Sequence, residues 1–301
     1  LKPEKITNYE LGFEQALNST SAIKISAYYK ETRDLIQLVQ YVGADPNPNY
    51  YSYDNIDFKT TKGFSLAYDL RQTKNIRLSA NYTLQYAEGT GISQTTMQQL
   101  IKEGFSSLKV LSPIADDRRH EFKLNLDFRY SGGAKYNGPT WTRKVKDENG
   151  EERAKTVNLL ENFGVNINAV AQSGRPYTKA KSNTESTIVG SYRGARLPWG
   201  FYIDAVVDKM WTIKVGSKGR DTYLRAAVAV TNLFDIRNIL GVYPVTGNPD
   251  DNGYLTDPGT QDIINAYLNP NSFRDMYSIM LMNAWNYSTP RLIRLELTYQ
   301  F

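Results

Sequence analysis

The sequence contains no cysteine and only one histidine, His120. The first absence removes disulfides, thiolate metal sites and cysteine nucleophiles, and it leaves the redox compartment open. The second leaves any imidazole-based metal or hydrolase site with a single candidate member. No run of about 18 apolar residues occurs, so no segment reads as a transmembrane helix. Strands that cross a membrane are only half apolar, however, and this absence does not bear on them. Basic residues come without long runs, and a net charge of +5 with a pI of about 9.0 reads as a solvated surface rather than a nucleic-acid face. Glycine-rich phosphate loops, zinc spacings and a Ser/His/Asp arrangement are also missing, so the reading is of a protein that is not an enzyme. Tryptophan is sparse, 4 residues against 22 tyrosines. The chain opens at Leu1 with neither an initiator methionine nor a basic-then-apolar leader, and the expectation is a fragment or mature piece.

What the sequence has is alternation. In "RLIRLELTYQF", Ile293, Leu295, Leu297, Tyr299 and Phe301 share one parity, with Arg294, Glu296, Thr298 and Gln300 on the other and Leu292 the only lapse. A period of two places the two sets on opposite faces of a strand. Because Phe301 belongs to the apolar set, the strand is expected to be paired to its last residue. The same pattern runs through "NIRLSANYTLQY", "HEFKLNLDFRY", "GFSLAYDL", "AIKISAYYK" and "FGVNINAVAQ".

About nine strands are predicted, at roughly 5–17, 22–40, 57–70, 75–87, 120–131, 160–172, 201–215, 222–236 and 290–301. Many are ten residues or longer, where strands in soluble proteins average five or six. A tilted strand of about 9–11 residues crosses a membrane, with apolar side chains outward and polar ones toward a wet lumen. Connections alternate between short (18–21, 71–75, 216–221) and long (about 40–56, 88–119, 173–199, 238–289), as in outer-membrane barrels. Residues 132–158 break the rule, being long where a short turn is due. There, charged strands flanking Asn149–Gly150 predict a small projecting hairpin, either a solvated extension or a docking point for another subunit. The fold expected is therefore all-β, a membrane-spanning antiparallel β-barrel, with residues 1–301 as one segment. An odd strand count ending on the short-turn side implies the C-terminal part of a larger barrel.

Several motifs together carry a resemblance: "LKPEKITNYELGFEQAL", "YTLQYAEGTG", "DDRRHEFKLNLDFRYSGG", "QSGRPYT", "VTNLFDIRN" followed by "VYPVTGNPDDNGYL", and the terminal "RLELTYQF". In this order they resemble the C-terminal barrel of TonB-dependent outer-membrane transporters, closest to the Bacteroidota type that includes starch-utilisation importers. The resemblance implies a 22-stranded barrel of which this chain supplies strands fourteen to twenty-two, set in outer-membrane lipid. It implies a plug domain and a TonB contact upstream of this chain, and nutrient uptake by the whole protein. The alternative is a scaffold barrel that has lost transport. Tyr299 and Phe301 look like the terminal signal read by barrel-assembly machinery.

Three further stretches bear on chemistry. Asp116, Asp117 and His120 in "DDRRHEF" suggest either a metal or hydrolase cluster or, more simply, a loop-to-strand junction in which the two acids balance Arg118 and Arg119. The stretch "TGNPDDNGYLTD" (246–257) has calcium-loop composition without EF-hand spacing, so a turn-rich surface loop is the plainer reading. Residues 260–286 are expected to hold one or two short helices, with Phe273, Tyr277 and Trp285 near helical spacing. These three pack onto the barrel rim or, on the sharper reading, contact a surface lipoprotein lid.

Overall fold

Wherever apolar and polar residues alternate, extended backbone follows, because only a strand sends successive side chains to opposite faces. The computed structural model describes residues 1–43, 48–90, 111–146, 152–182, 188–215 and 220–301. Its first four strands are β1 (Lys5–Ala16), β2 (Ser21–Tyr41), β3 (Tyr50–Thr73) and β4 (Ile76–Gly89). Then come β5 (Ser112–Pro113), β6 (His120–Arg129), β7 (Thr140–Lys146), β8 (Glu152–Asn158) and β9 (Phe163–Gln172). The last are β10 (Pro176–Tyr177), β11 (Ala195–Arg196), β12 (Gly200–Val215), β13 (Arg220–Thr231) and β14 (Leu292–Gln300). The long strands form a meander in the order β1-β2-β3-β4-β6-β9-β12-β13-β14, with β5 beside β4, and every pairing is antiparallel. The nine expected strands are all present. β7–β8 and β10–β11 are separate two-stranded pairs.

Register carries the alternation across the sheet. Ile25, Leu66, Tyr82, Phe122, Ala171 and Phe201 form one continuous cross-strand row. Ser79, Asn125, Asn168 and Asp204 form a polar row on the other face. Leu126 continues through Ile167, Ala205 and Val230 to Ile293, so Leu124, Leu126, Leu295 and Leu297 share the apolar face. Lys123, Asn125, Arg294 and Glu296 lie on the polar one. On β4 the apolar set runs from Ile76 to Tyr86. At a rise of ~3.3 Å per residue and a tilt of ~40°, that is a band about 25 Å tall.

Connections differ sharply between the two ends. One end has residues 17–20, 74–75 and 216–219, the other 42–49, 90–119, 173–199 and 232–291. The long connection 130–162 falls at the short-turn end and contains β7 and β8, which pair from Thr140↔Asn158 to Lys146↔Glu152. The Asn-Gly turn expected there lies outside the described residues.

Three boundaries differ from the sequence reading. Residues 50–56, expected in a loop, pair with the end of β2 from Ile36↔Asn55 to Tyr41↔Tyr50. The register shift this requires is absorbed between Thr32 and Leu35, where Asp34 takes φ 58° and its carbonyl accepts from Asn55 Nδ2 at 2.7 Å. β13 stops at Thr231 because Asn232 turns to φ 55° and its amide donates to Asp204 Oδ1 at 2.8 Å. Pairing of β14 ends at Gln300↔Tyr223, leaving Phe301 beyond the ladder and 85% exposed.

Candidate functional site

The polar face carries an ion network that spans four strands. Arg129 on β6 grips Asp208 on β12 through both terminal nitrogens, at 3.1 and 2.8 Å. Arg225 on β13 approaches the same carboxylate at 3.4 Å, and Asp127 lies 3.8 Å from Arg129 Nε. Between Arg129 and Asp208 stands β9, and the residue under the guanidinium is Gly164. A Cβ there would sit 2.5 Å from Arg129 Cζ. Glycine is required so that a long side chain can cross one strand and reach the next. The device recurs higher up. Tyr28 on β2 lies over Gly63 on β3, where a Cβ would meet its ring at 2.5 Å, and its hydroxyl donates to Gln85 on β4 at 3.1 Å. Neither crossing was read from the sequence. A glycine at a polar-face position inside an alternating run was the available signal.

At the long-loop end, "DDRRHEF" is the expected loop-to-strand junction, with a partner the sequence reading did not include. Asp117 is fully buried and binds Arg196 on β11 through its carboxylate, while Ala87 N donates to its Oδ1 at 2.9 Å. Arg196 also donates to the Asp117 carbonyl at 2.7 Å. Arg119 is a secondary partner, 3.7 Å away and stacked over the Tyr86 ring. Arg118 has no ion pair among the described residues. Together with Arg175, Gln172 and Tyr202 it lines a cavity of about 230 Å³ at the loop end of the sheet. The expected balance of adjacent acids and bases is kept between Asp117 and Arg119, and a closer partner 79 residues away is added to it.

The structure does not bring Asp116, Asp117 and His120 into one site. The His120 ring joins an aromatic row, stacked between Tyr82 and Trp199 with centroids at 6.2 and 5.8 Å, and its Nδ1 meets the Tyr82 hydroxyl at 3.0 Å. Phe122 and Phe201 extend that row along the apolar face. Near the other end, Lys209 shares the apolar face, yet its ammonium turns away to donate to the Leu159 carbonyl at 2.6 Å, 5.9 Å from the Trp211 ring centroid. Aromatic rings at both ends and a lysine that snorkels outward mark the edges of an apolar band. Tyr299 and Phe301 stack there as well, at 6.2 Å.

The loop 232–291 folds on itself. Asn238 pins it to β12, its side chain accepting from Phe201 N and donating to Phe201 O, both at 2.7 Å. Its helices are α1 (Gln261–Asn265) and α2 (Pro270–Leu281), the second capped by the Asn269 side chain on Ser272 N at 3.1 Å. Phe273 stacks on Tyr267 at 4.3 Å, and Tyr277 stacks on Tyr254 at 5.0 Å and meets Asn252 Nδ2 at 2.8 Å. Both are thus half-buried in the loop's own ring contacts, while Trp285 is 88% exposed. In the stretch 246–257 the acids serve turns: Asp251 accepts from Gly253 N and Asp257 from Gly259 N. Asp250 accepts from the Tyr287 hydroxyl, and this bond raises the phenol's pKa above its ordinary value. Among the described residues, no three His, Cys, Asp or Glu side chains converge on a metal position.

Residues 1–233 match the family model described as TonB dependent receptor-like, beta-barrel. The chain belongs to that family. No curated protein matches. Among solved structures, a match is the crystal structure of the outer membrane transporter YddB from Escherichia coli, at 14% identity and a TM-score of 0.49. It covers 80% of this chain and 30% of that one, so the chain spans less than a third of the transporter's length. A likeness at that level adds nothing to the family assignment, which rests on the sequence model.

Proposed function

We propose that this chain forms part of the wall of an outer-membrane importer, its apolar rows in lipid and its polar rows facing the cargo path. The observation that carries the reading is the two-faced sheet in a TonB-dependent receptor family member. A band about 25 Å tall, bounded by aromatic rings, backs a wall of charged and amide side chains. On this reading the whole protein takes up a nutrient such as an oligosaccharide, peptide or metal chelate, energised through TonB by an upstream region, in the manner of Bacteroidota starch-utilisation importers. The long loops would meet the cargo or a lipoprotein lid outside, and Trp285 is the one candidate lid contact that stands free of the loop's own packing. Deleting the gene and supplying labelled nutrients from these three classes tests the reading. Uptake of one class should fall, and should fall equally when TonB is removed. Uptake unchanged for all three would overturn it.

A second reading, a scaffold barrel without transport, is favoured only by the β7–β8 hairpin, an extension at an end where family barrels use short turns. Shortening residues 141–156 to a tight turn should leave assembly intact, since loop length costs little. Under the scaffold reading it would abolish co-purification of a periplasmic subunit.

A further inference from the structure

We infer that the β7–β8 hairpin is a membrane-surface arm, seated on the anionic phospholipid headgroups of the leaflet at the short-turn end of the barrel. The inference rests on the membrane reading above but concerns a different surface. Two anchors tie the foot of the hairpin to the lipid side of the wall rather than to the lumen. Before the hairpin, the apolar-face ring of Phe128 packs edge-on against Tyr130 at 5.1 Å, and Tyr130 contacts Tyr136 at 5.9 Å. The Tyr136 hydroxyl then donates to Pro139 O at 2.6 Å and accepts from Leu160 N at 3.1 Å, clamping both ends of the hairpin together. After the hairpin, the Leu159 carbonyl receives the ammonium of lipid-facing Lys209. The arm therefore leaves the barrel where hydrocarbon gives way to headgroups.

What the arm presents there fits headgroups. The register places Trp141, Arg143 and Val145 on one face beside Val157 and Lys155. An aromatic ring, two short aliphatics and two cations on one surface suit the interface between acyl chains and phosphates, and Trp141 is 60% exposed without such a cover. Charge is also sorted along the segment. The strands carry Arg143, Lys144, Lys146, Arg153 and Lys155 against the single acid Glu152, whereas Asp147, Glu148 and Glu151 fall in the residues between them. The described cations Arg143 and Lys155 pair across the ribbon three register positions from its foot at Thr140↔Asn158, where an anionic surface would draw them in. Finally, an isolated two-stranded ribbon is marginal in water and gains stability from a surface to lie on.

The test uses the full protein that carries this chain, folded into lipid nanodiscs. The chain has no cysteine of its own, so Val145→Cys, with any cysteine elsewhere in the full protein replaced by serine, takes an environment-sensitive fluorophore at one position. In discs of phosphatidylcholine with phosphatidylglycerol, the emission should shift to the blue, and high salt or the pair Arg143→Glu with Lys155→Glu should reverse the shift. Discs of phosphatidylcholine alone should give emission close to that in water. Water-like emission in both discs would overturn the proposal. So would a shift that appears only when a soluble periplasmic extract is added, which would assign the arm to a protein partner. A protein that never acquires the heat-sensitive gel mobility of a folded barrel would instead refute the membrane reading, and the arm with it.

Discussion

Leu126 and Asn125 are neighbours on β6 whose side chains lie on opposite faces, so an arginine at each position in turn separates the effect of face from every other variable. The apolar-face positions run from His120 on β6 to Tyr130 just past its end, which at ~3.3 Å per residue and ~40° tilt spans about 25 Å. Leu126 lies ~10 Å above Tyr130 by the same arithmetic, close to the midplane. An arginine there should cost about 2–4 kcal/mol, which corresponds to a loss of roughly 30- to 700-fold in the folding equilibrium. Asn125 exchanges two long amide contacts with Asn166, both at 3.4 Å, on the wet face. Losing these weak bonds should cost under about 1 kcal/mol, or less than about fivefold. The assay is refolding of the full protein into phospholipid vesicles across a urea series, with the folded fraction read from heat-sensitive gel mobility. Leu126→Arg should move the midpoint sharply down while Asn125→Arg barely moves it. Equal shifts at the two positions, or the larger one at Asn125, would refute the assignment of lipid and lumen faces.

Three more expectations can be checked the same way. Gly164→Val should displace the Arg129 guanidinium from Asp208 and destabilise the barrel by about 1–2 kcal/mol, a range that allows for partial exposure of the pair. Combined with Asp208→Ala, its effect should be far less than additive, and a fully additive double variant would show that the crossing does not matter. Removing Phe301 should lower the amount of protein inserted in the outer membrane, measured by membrane fractionation; unchanged insertion would end its role as an assembly signal. Tyr287 has a phenol pKa raised by its bond to Asp250, so that bond's contribution is fully present below the pKa of an unfolded tyrosine and is lost as pH climbs through the higher folded value. Protease resistance of the loop 232–291 should therefore fall in strongly alkaline buffer in the native protein and show no such alkaline step in Tyr287→Phe.

The faces of the sheet were legible in the sequence because period two is a local property. A residue's neighbours at i±2 share its face whatever the strand pairs with, so Leu124 and Leu126 could be set against Lys123 and Asn125 before any partner was known. Connection lengths are equally local, which is why the two unlike ends and the hairpin at 132–158 were visible. The extension of the β2–β3 pair to Tyr41↔Tyr50 was not, because the bulge at Asp34 inverts the alternation there and hides the strand in a Tyr- and Asn-rich stretch. Phe273 and Tyr277 have suitable spacing for an outward helix face, but only the packing of the loop showed that Tyr267 and Tyr254 claim them.

Composition and alternation thus determined a two-faced antiparallel sheet of about nine long strands with dissimilar ends. Tertiary structure decided which polar residues act together. Arg129 meets Asp208, and Asp117 meets Arg196, each across 79 residues of chain. Such partnerships depend on register accumulated over several strands and on a glycine at the strand between, as at Gly164. A charged side chain on a row of the polar face has several opposite charges within reach of its length. The pairing it adopts is set by which strand stands two places away and whether the intervening residue lacks a Cβ, and neither is written in its own neighbourhood.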